Sequence, residues 1–144
     1  GERLNEITDS QYKLVNETIL ALLQTADQEK IDILRVAIGT TLEIFDLDSQ
    51  DAYFLSRLVR DISVQEVRFL QRSFGIEKVT LVVRPAEPSD VAFEIQIDTL
   101  DGRLAAGLIS LGLLAPIGGT IDDLGTFRFT PVAAKLLTLL HSAS

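Results

Sequence analysis

The chain has 144 residues, 47% hydrophobic and 24% charged, a composition that builds a buried core rather than staying disordered. Its 13 Lys+Arg against 21 Asp+Glu give a net charge of −8, which argues against nonspecific nucleic-acid or anionic-membrane binding as the main task. With no Cys and a single His, His141, the chain carries no thiol chemistry, no disulfide and no His-based metal cluster, and a cytoplasmic location is expected.

The N-terminus, Gly1 to Glu6, is polar and has no basic region leading into an apolar one, so no targeting signal is read there. The longest mostly apolar stretch, Leu104 to Ile117, is interrupted by Gly107, Ser110, Gly112 and Pro116. That is too short and too broken for a bilayer, and no membrane partner is expected. The chain starts on Gly1 and contains no Met, which reads as a cleavage scar and a domain excised from a longer protein.

From Thr8 to Ala26 the apolar positions Tyr12, Val15, Ile19, Leu22 and Ala26 alternate in steps of three and four, predicting one buried helical face widened by Leu20 and Leu23. Thr8 or Asp9 caps its start. A second helix is predicted from Asp27 to Phe45, with Ile31, Leu34, Ile38, Thr41 or Leu42, and Phe45 inward; Gly39 marks a close helix approach or a local weakness. Asp46-Leu47-Asp48-Ser49-Gln50-Asp51 has the look of a calcium loop, but Asp51 stands where the turn needs Gly and Arg57 where the bidentate Glu belongs. The segment is read as a loop in which Asp48 caps a third helix, Ser49 to Asp61, that buries Ala52, Leu55, Leu58, Val59 and Ile62.

Ser63-Val64-Gln65-Glu66 is a capping box opening a fourth helix that runs to Phe74, with Val67, Leu70 and Phe74 inward and Gly75 as its stop. Arg57, Arg60, Arg68 and Arg72 recur at helical spacing over these two helices. Asp61 and Glu66 lie among them, so a solvated face with local ion pairs is favoured over a phosphate-binding patch. From Lys78 the period changes to two: Val79, Leu81 and Val83 share a side, as do Phe93, Ile95 and Ile97. The Pro-rich link between them predicts a hairpin.

A fifth helix from Thr99 to Leu111 aligns Leu100, Leu104, Leu108 and Leu111, and Gly112 ends it. A turn-rich stretch from Ala115 to Asp123 leads into a strand at Gly125–Phe129. Thr130-Pro131 then predicts the last helix, with Thr130 as N-cap and Pro131 at the first helical position. On the strand, Phe127 and Phe129 face one way and Arg128 the other. Phe129 is expected to pack on Leu113 or Leu114 and on Leu136, so that Phe129→Ala severely weakens the C-terminal lobe while Arg128→Ala is neutral.

The order of "LISLGLL", a glycine-containing hairpin and "FRFTPVAAKLL" over residues 104–140 resembles the C-terminal part of bacterial winged-helix modules. The upstream "KIDILRVAIGTTLE" and "VRDISVQEVRFLQRSF" are similar to helical regions of abortive-infection alpha-type proteins, which implies a bacterial phage-defence setting. The resemblance implies a mostly α, α+β fold: a helical region at 1–62, then a winged-helix-like region at 63–144 with a β-hairpin and a wing, the two forming either separate lobes or one continuous domain. Two departures from a DNA reader stand out. Residues 98–144 carry Arg103, Arg128 and Lys135 against Asp98, Asp101, Asp122 and Asp123, and the wing tip Gly118–Asp123 would set two carboxylates against phosphates.

No catalytic motif is visible. Gly118-Gly119-Thr120 lacks the Lys-Ser/Thr of a phosphate loop, Asp122/Asp123 read as a solvated pair, and His141 suits the end of a helix. No enzyme, metal or cofactor is therefore expected. The favoured expectation is a non-catalytic domain that binds another protein or itself as a homo-oligomer. One alternative is a nucleic-acid regulator using Arg57, Arg60, Arg68, Arg72, Arg103 and Arg128; another is a small-ligand domain with a pocket between lobes.

Overall fold

The computed structural model describes residues 7–44, 46–76, 78–83, 93–118 and 125–141. Among them the chain is α+β and mostly helical. The helices are α1 (Asp9–Gln24), α2 (Gln28–Thr41), α3 (Ser49–Asp61), α4 (Val64–Ser73), α5 (Leu100–Ser110) and α6 (Pro131–Leu140). The strands are β1 (Val79–Val82), β2 (Phe93–Gln96), β3 (Leu114–Gly118) and β4 (Gly125–Phe129). No helix among the described residues is long and apolar enough to cross a membrane. The chain divides into two compact units: one holds the described residues up to Val64 and those from Lys135 on, the other Gln65–Ala134.

In the first unit, α1 packs on α2 and α3. It starts in a capping box: Gln11 N–H donates to Thr8 Oγ1 at 3.1 Å, and Thr8 N–H to Gln11 Oε1 at 3.0 Å. The buried face is Gln11, Leu14, Thr18 and Ala21. This set lies one residue earlier than the predicted Tyr12, Val15, Ile19 and Leu22, a rotation of about 100° at 3.6 residues per turn. The polar members are satisfied without water: Gln11 Nε2 donates to the Thr41 carbonyl at 3.0 Å and Thr18 Oγ1 to the Leu14 carbonyl at 2.7 Å. Small Thr18 and Ala21 let the neighbouring helices approach closely, which the bulkier predicted stripe would prevent.

Asp27 caps α2, accepting from Glu29 N–H at 2.9 Å. Leu34, Ala37 and Thr41 are its buried residues, and it ends at Thr41; the predicted Phe45 lies outside the described residues. Gly39 is exposed, and a Cβ built on it would meet nothing within 4 Å, so no close helix approach requires it. The Gly39→Ala variant should therefore gain about 1 kcal/mol by helix propensity alone, read as a raised urea midpoint with an unchanged m-value.

Helix α3 has the predicted bounds. Asp48 Oδ1 accepts from Asp51 N–H at 2.7 Å, and Ala52, Leu55, Leu58, Val59 and Ile62 are buried. Asp51 in turn binds Lys135 Nζ at 2.7 Å, and that hydrogen bond holds the ammonium above its ordinary pKa of 10.5.

The second unit is built round a four-stranded sheet in the order β2-β1-β4-β3. β1 pairs with β2 in parallel, Val79 opposite Phe93 and Val82 opposite Gln96, so the two strands do not form the predicted hairpin. Alternation specifies which faces are apolar but not strand direction, and the link at 84–92 lies outside the described residues. β1 also pairs antiparallel with β4, and this central place explains why all four of its residues are buried. Its Thr80 hydroxyl reaches Thr126 Oγ1 at 3.1 Å. The predicted third member of that face, Val83, lies beyond the strand and is exposed. β3 begins one residue ahead of the predicted turn-rich stretch, runs into it as far as Gly118, and carries Pro116 because it is an edge strand, with an irregularity between Pro116 and Gly118. The wing tip beyond Gly118 lies outside the described residues.

Helix α4 buries Val67, Phe69, Leu70 and Ser73; the predicted Phe74 falls past its end and is exposed. α5 is capped by Thr99, which accepts from Gly102 N–H at 3.0 Å, and stops at Gly112 with φ +77°. The Leu113 N–H reaches back to the Leu108 carbonyl at 2.9 Å and the Gly112 N–H to Ile109 at 3.0 Å, the paired bonds of a Schellman end. Leu104 and Leu108 are buried as expected, while Leu100 is exposed.

Pro131 opens α6 as predicted, and the hydroxyl of Thr130 just ahead of it donates to the Gly112 carbonyl at 2.8 Å. The end of α5 offers an orphan carbonyl there, and that acceptor takes the hydroxyl proton. On β4, Phe127 is buried and Arg128 exposed, the predicted phase. Phe129 is only half-buried; it stands opposite Leu114, and its ring lies 5.4 Å from that of Phe74.

Candidate interaction surface and the α1–α3 cleft

The rotation of α1 has a direct consequence for its surface. Tyr12, Ile19, Leu20 and Leu23 are 69%, 40%, 45% and 74% exposed, although the periodicity marked them as core. Tyr12, Ile19 and Leu23 recur at i, i+7 and i+11 and form one stripe, with Asn16 and Leu20 beside it. No ionised side chain interrupts the stripe. In the same unit α3 exposes Tyr53 and Phe54, whose rings meet edge-on at 5.6 Å.

Where α3 lies against α1 there is a cleft of about 210 Å³ lined by Lys13, Glu17, Tyr53, Ser56, Arg57 and Arg60. Its construction follows from helical spacing. Lys13 and Glu17 are four apart on α1, and Tyr53, Ser56, Arg57 and Arg60 stand at i, i+3, i+4 and i+7 on α3, so each set shares one face. Lys13 Nζ and the Arg57 guanidinium lie 5.8 and 5.9 Å from the centre of the Tyr53 ring. Arg60 is 4.0 Å from Glu17 and 3.5 Å from Asp61, and Lys30 donates to the Arg60 carbonyl at 3.0 Å.

The six arginines of the nucleic-acid alternative are distributed over both units. Arg57 and Arg60 line the cleft of the first, whereas Arg68, Arg72, Arg103 and Arg128 belong to the second. Arg72 is ion-paired with Asp101 at 2.7 Å and its guanidinium covers the Phe69 ring at 5.3 Å. Arg68, Arg103 and Arg128 are exposed. Lys13, Tyr53 and Ser56 were not singled out by the sequence. The available signal was Ser56, a hydroxyl set within the apolar face of α3 beside two arginines at helical spacing.

Compared with protein-family models, curated proteins and solved structures, the chain matches none.

Proposed function

We propose that the chain is a non-catalytic interaction domain that pairs with a second copy of itself through the exposed stripe of α1. The observation that carries this reading is that Tyr12, Ile19, Leu20 and Leu23 lie outward on one side of α1 while Gln11 and Thr18 face the core. An exposed apolar stripe of this kind marks an association surface. Self-pairing fits its charge: two stripes without ionised groups can meet without burying an unpaired charge, even on a chain of net charge −8. A two-fold dimer, the commonest soluble assembly, needs only one such self-complementary patch. The pairing of Arg60 and Arg72 with carboxylates supports a protein partner over phosphates of a nucleic acid.

Sedimentation equilibrium tests this. The wild-type chain should show a concentration-dependent dimer, and the double variant Ile19→Glu, Leu23→Glu should remain monomeric with an unchanged far-UV circular dichroism spectrum. A wild-type chain that stays monomeric at high concentration would overturn the reading.

A further inference from the structure

The buried hydroxyls of the first unit fall into two kinds. Thr18 and Thr41 each donate to the carbonyl four residues back, Leu14 and Ala37, at 2.7 Å. Ser56 sits in an equivalent helical setting, 5% exposed, yet its Oγ has no hydrogen-bond partner among the described residues. A buried polar atom without a partner is rare in a folded protein, and leaving one unmade is unfavourable. Ser56 belongs to the lining of the α1–α3 cleft, where Lys13, Arg57 and Arg60 outnumber the single carboxylate of Glu17. Asp61 lies beside Arg60 but outside that lining. Lys13 and Arg57 make no ion pair among the described residues; both are gathered against the one ring of Tyr53.

We propose that this cleft binds a phosphate group, either free or as the end of a small phosphomonoester. A phosphate oxygen accepts the Ser56 proton, and the other oxygens take charge-assisted hydrogen bonds from Arg57 and Lys13. An anion there also gives both cations a charged partner, which the Tyr53 ring does not. The size agrees: about 210 Å³ is below the roughly 300–1,000 Å³ of sites for drug-sized ligands, and suits a group of a few heavy atoms. Glu17 sets the selectivity. It holds Arg60 at 4.0 Å on one side, so a ligand whose charge is compact is favoured over an extended polyanion that would meet the carboxylate.

The test follows the backbone amides by NMR while inorganic phosphate, and separately glycerol 3-phosphate, is added to the whole chain at constant ionic strength. Saturable shifts are expected at Ser56, Arg57 and Lys13 with one or both probes. If both saturate, the tighter one identifies whether the free ion or the ester is the ligand. Ser56→Ala and Arg57→Gln should each weaken binding about tenfold or more, as expected for a lost hydrogen bond to a charged group. Arg103→Gln, on an exposed arginine of the other unit, should leave it unchanged. Absence of saturation with either probe at tens of millimolar would overturn the proposal. So would equal weakening by Arg103→Gln, which would mean that only the general charge is sensed.

Discussion

Replacing Phe69 by Ala should lower the unfolding free energy by about 3–5 kcal/mol, a large share of the 5–15 kcal/mol that holds a domain together. Phe69 is 1% exposed and among the largest fully buried side chains of the protein. Its loss leaves a cavity that close-packed neighbours fill only partly, and it removes the ring over which the Arg72 guanidinium lies. Phe129→Ala serves as the comparison. That ring is only partly buried and meets Phe74, itself exposed, so less buried apolar area is lost and the cost should be smaller, about 2–3 kcal/mol. Arg128→Ala, on the exposed side of β4, should stay within about 0.5 kcal/mol of the wild type. Urea titrations should rank the midpoints with Phe69→Ala lowest, Phe129→Ala intermediate and Arg128→Ala at the wild-type value. Equal losses for the two phenylalanine variants would contradict their different burial.

The second large effect is expected at Gly102. It lies in the first turn of α5, where Thr99 ties the helix start to the end of β2 by donating from Oγ1 to the Gln96 carbonyl at 2.6 Å. A Cβ on Gly102 would overlap the carbonyl oxygens of Gln96 and Ile97. Backbone cannot rotate aside as a long side chain can, so Gly102→Ala should destabilise the protein by about 1–3 kcal/mol despite the better helix propensity of Ala. Gly107, one turn and a half along the same helix, gives the contrast. Its Cβ would meet only the Glu66 carboxylate, the far end of a flexible side chain. Gly107→Ala should therefore be close to neutral, and thermal melts of the two variants separate the cases. A Gly102→Ala protein as stable as the wild type would mean that α5 stands further from β2 than described.

The features that proved legible in the sequence depend on neighbours within about four residues. Asp48 ahead of the first turn of α3, Pro131 at the first position of α6 and Gly112 past the end of α5 all act through the orphan N–H and C=O groups of a helix end or through a fixed φ. The buried face of α3 was legible for a similar reason: its aliphatic residues Ala52, Leu55, Leu58 and Val59 share one side, so a single orientation removes them from water.

On α1 that condition fails, because Leu14 and Ala21 oppose Tyr12, Ile19 and Leu23 and no single orientation removes all of them from water. Tertiary structure decided between them, through the Gln11 bond to Thr41 of α2 and the close approach that Thr18 and Ala21 allow. That choice created the exposed stripe, which periodicity alone assigned to the core. The direction of β1 against β2 was equally beyond local pattern, since alternation is the same for parallel and antiparallel pairs. So was the α1–α3 cleft. Sequence spacing placed Tyr53, Ser56, Arg57 and Arg60 on one face of α3, but only the packing of a second helix brought Lys13 and Glu17 to them and buried the Ser56 hydroxyl. Caps, stops and one-sided stripes are decided by short-range sterics and hydrogen bonds, whereas facing, strand direction and site assembly are decided by contacts between residues far apart in the chain.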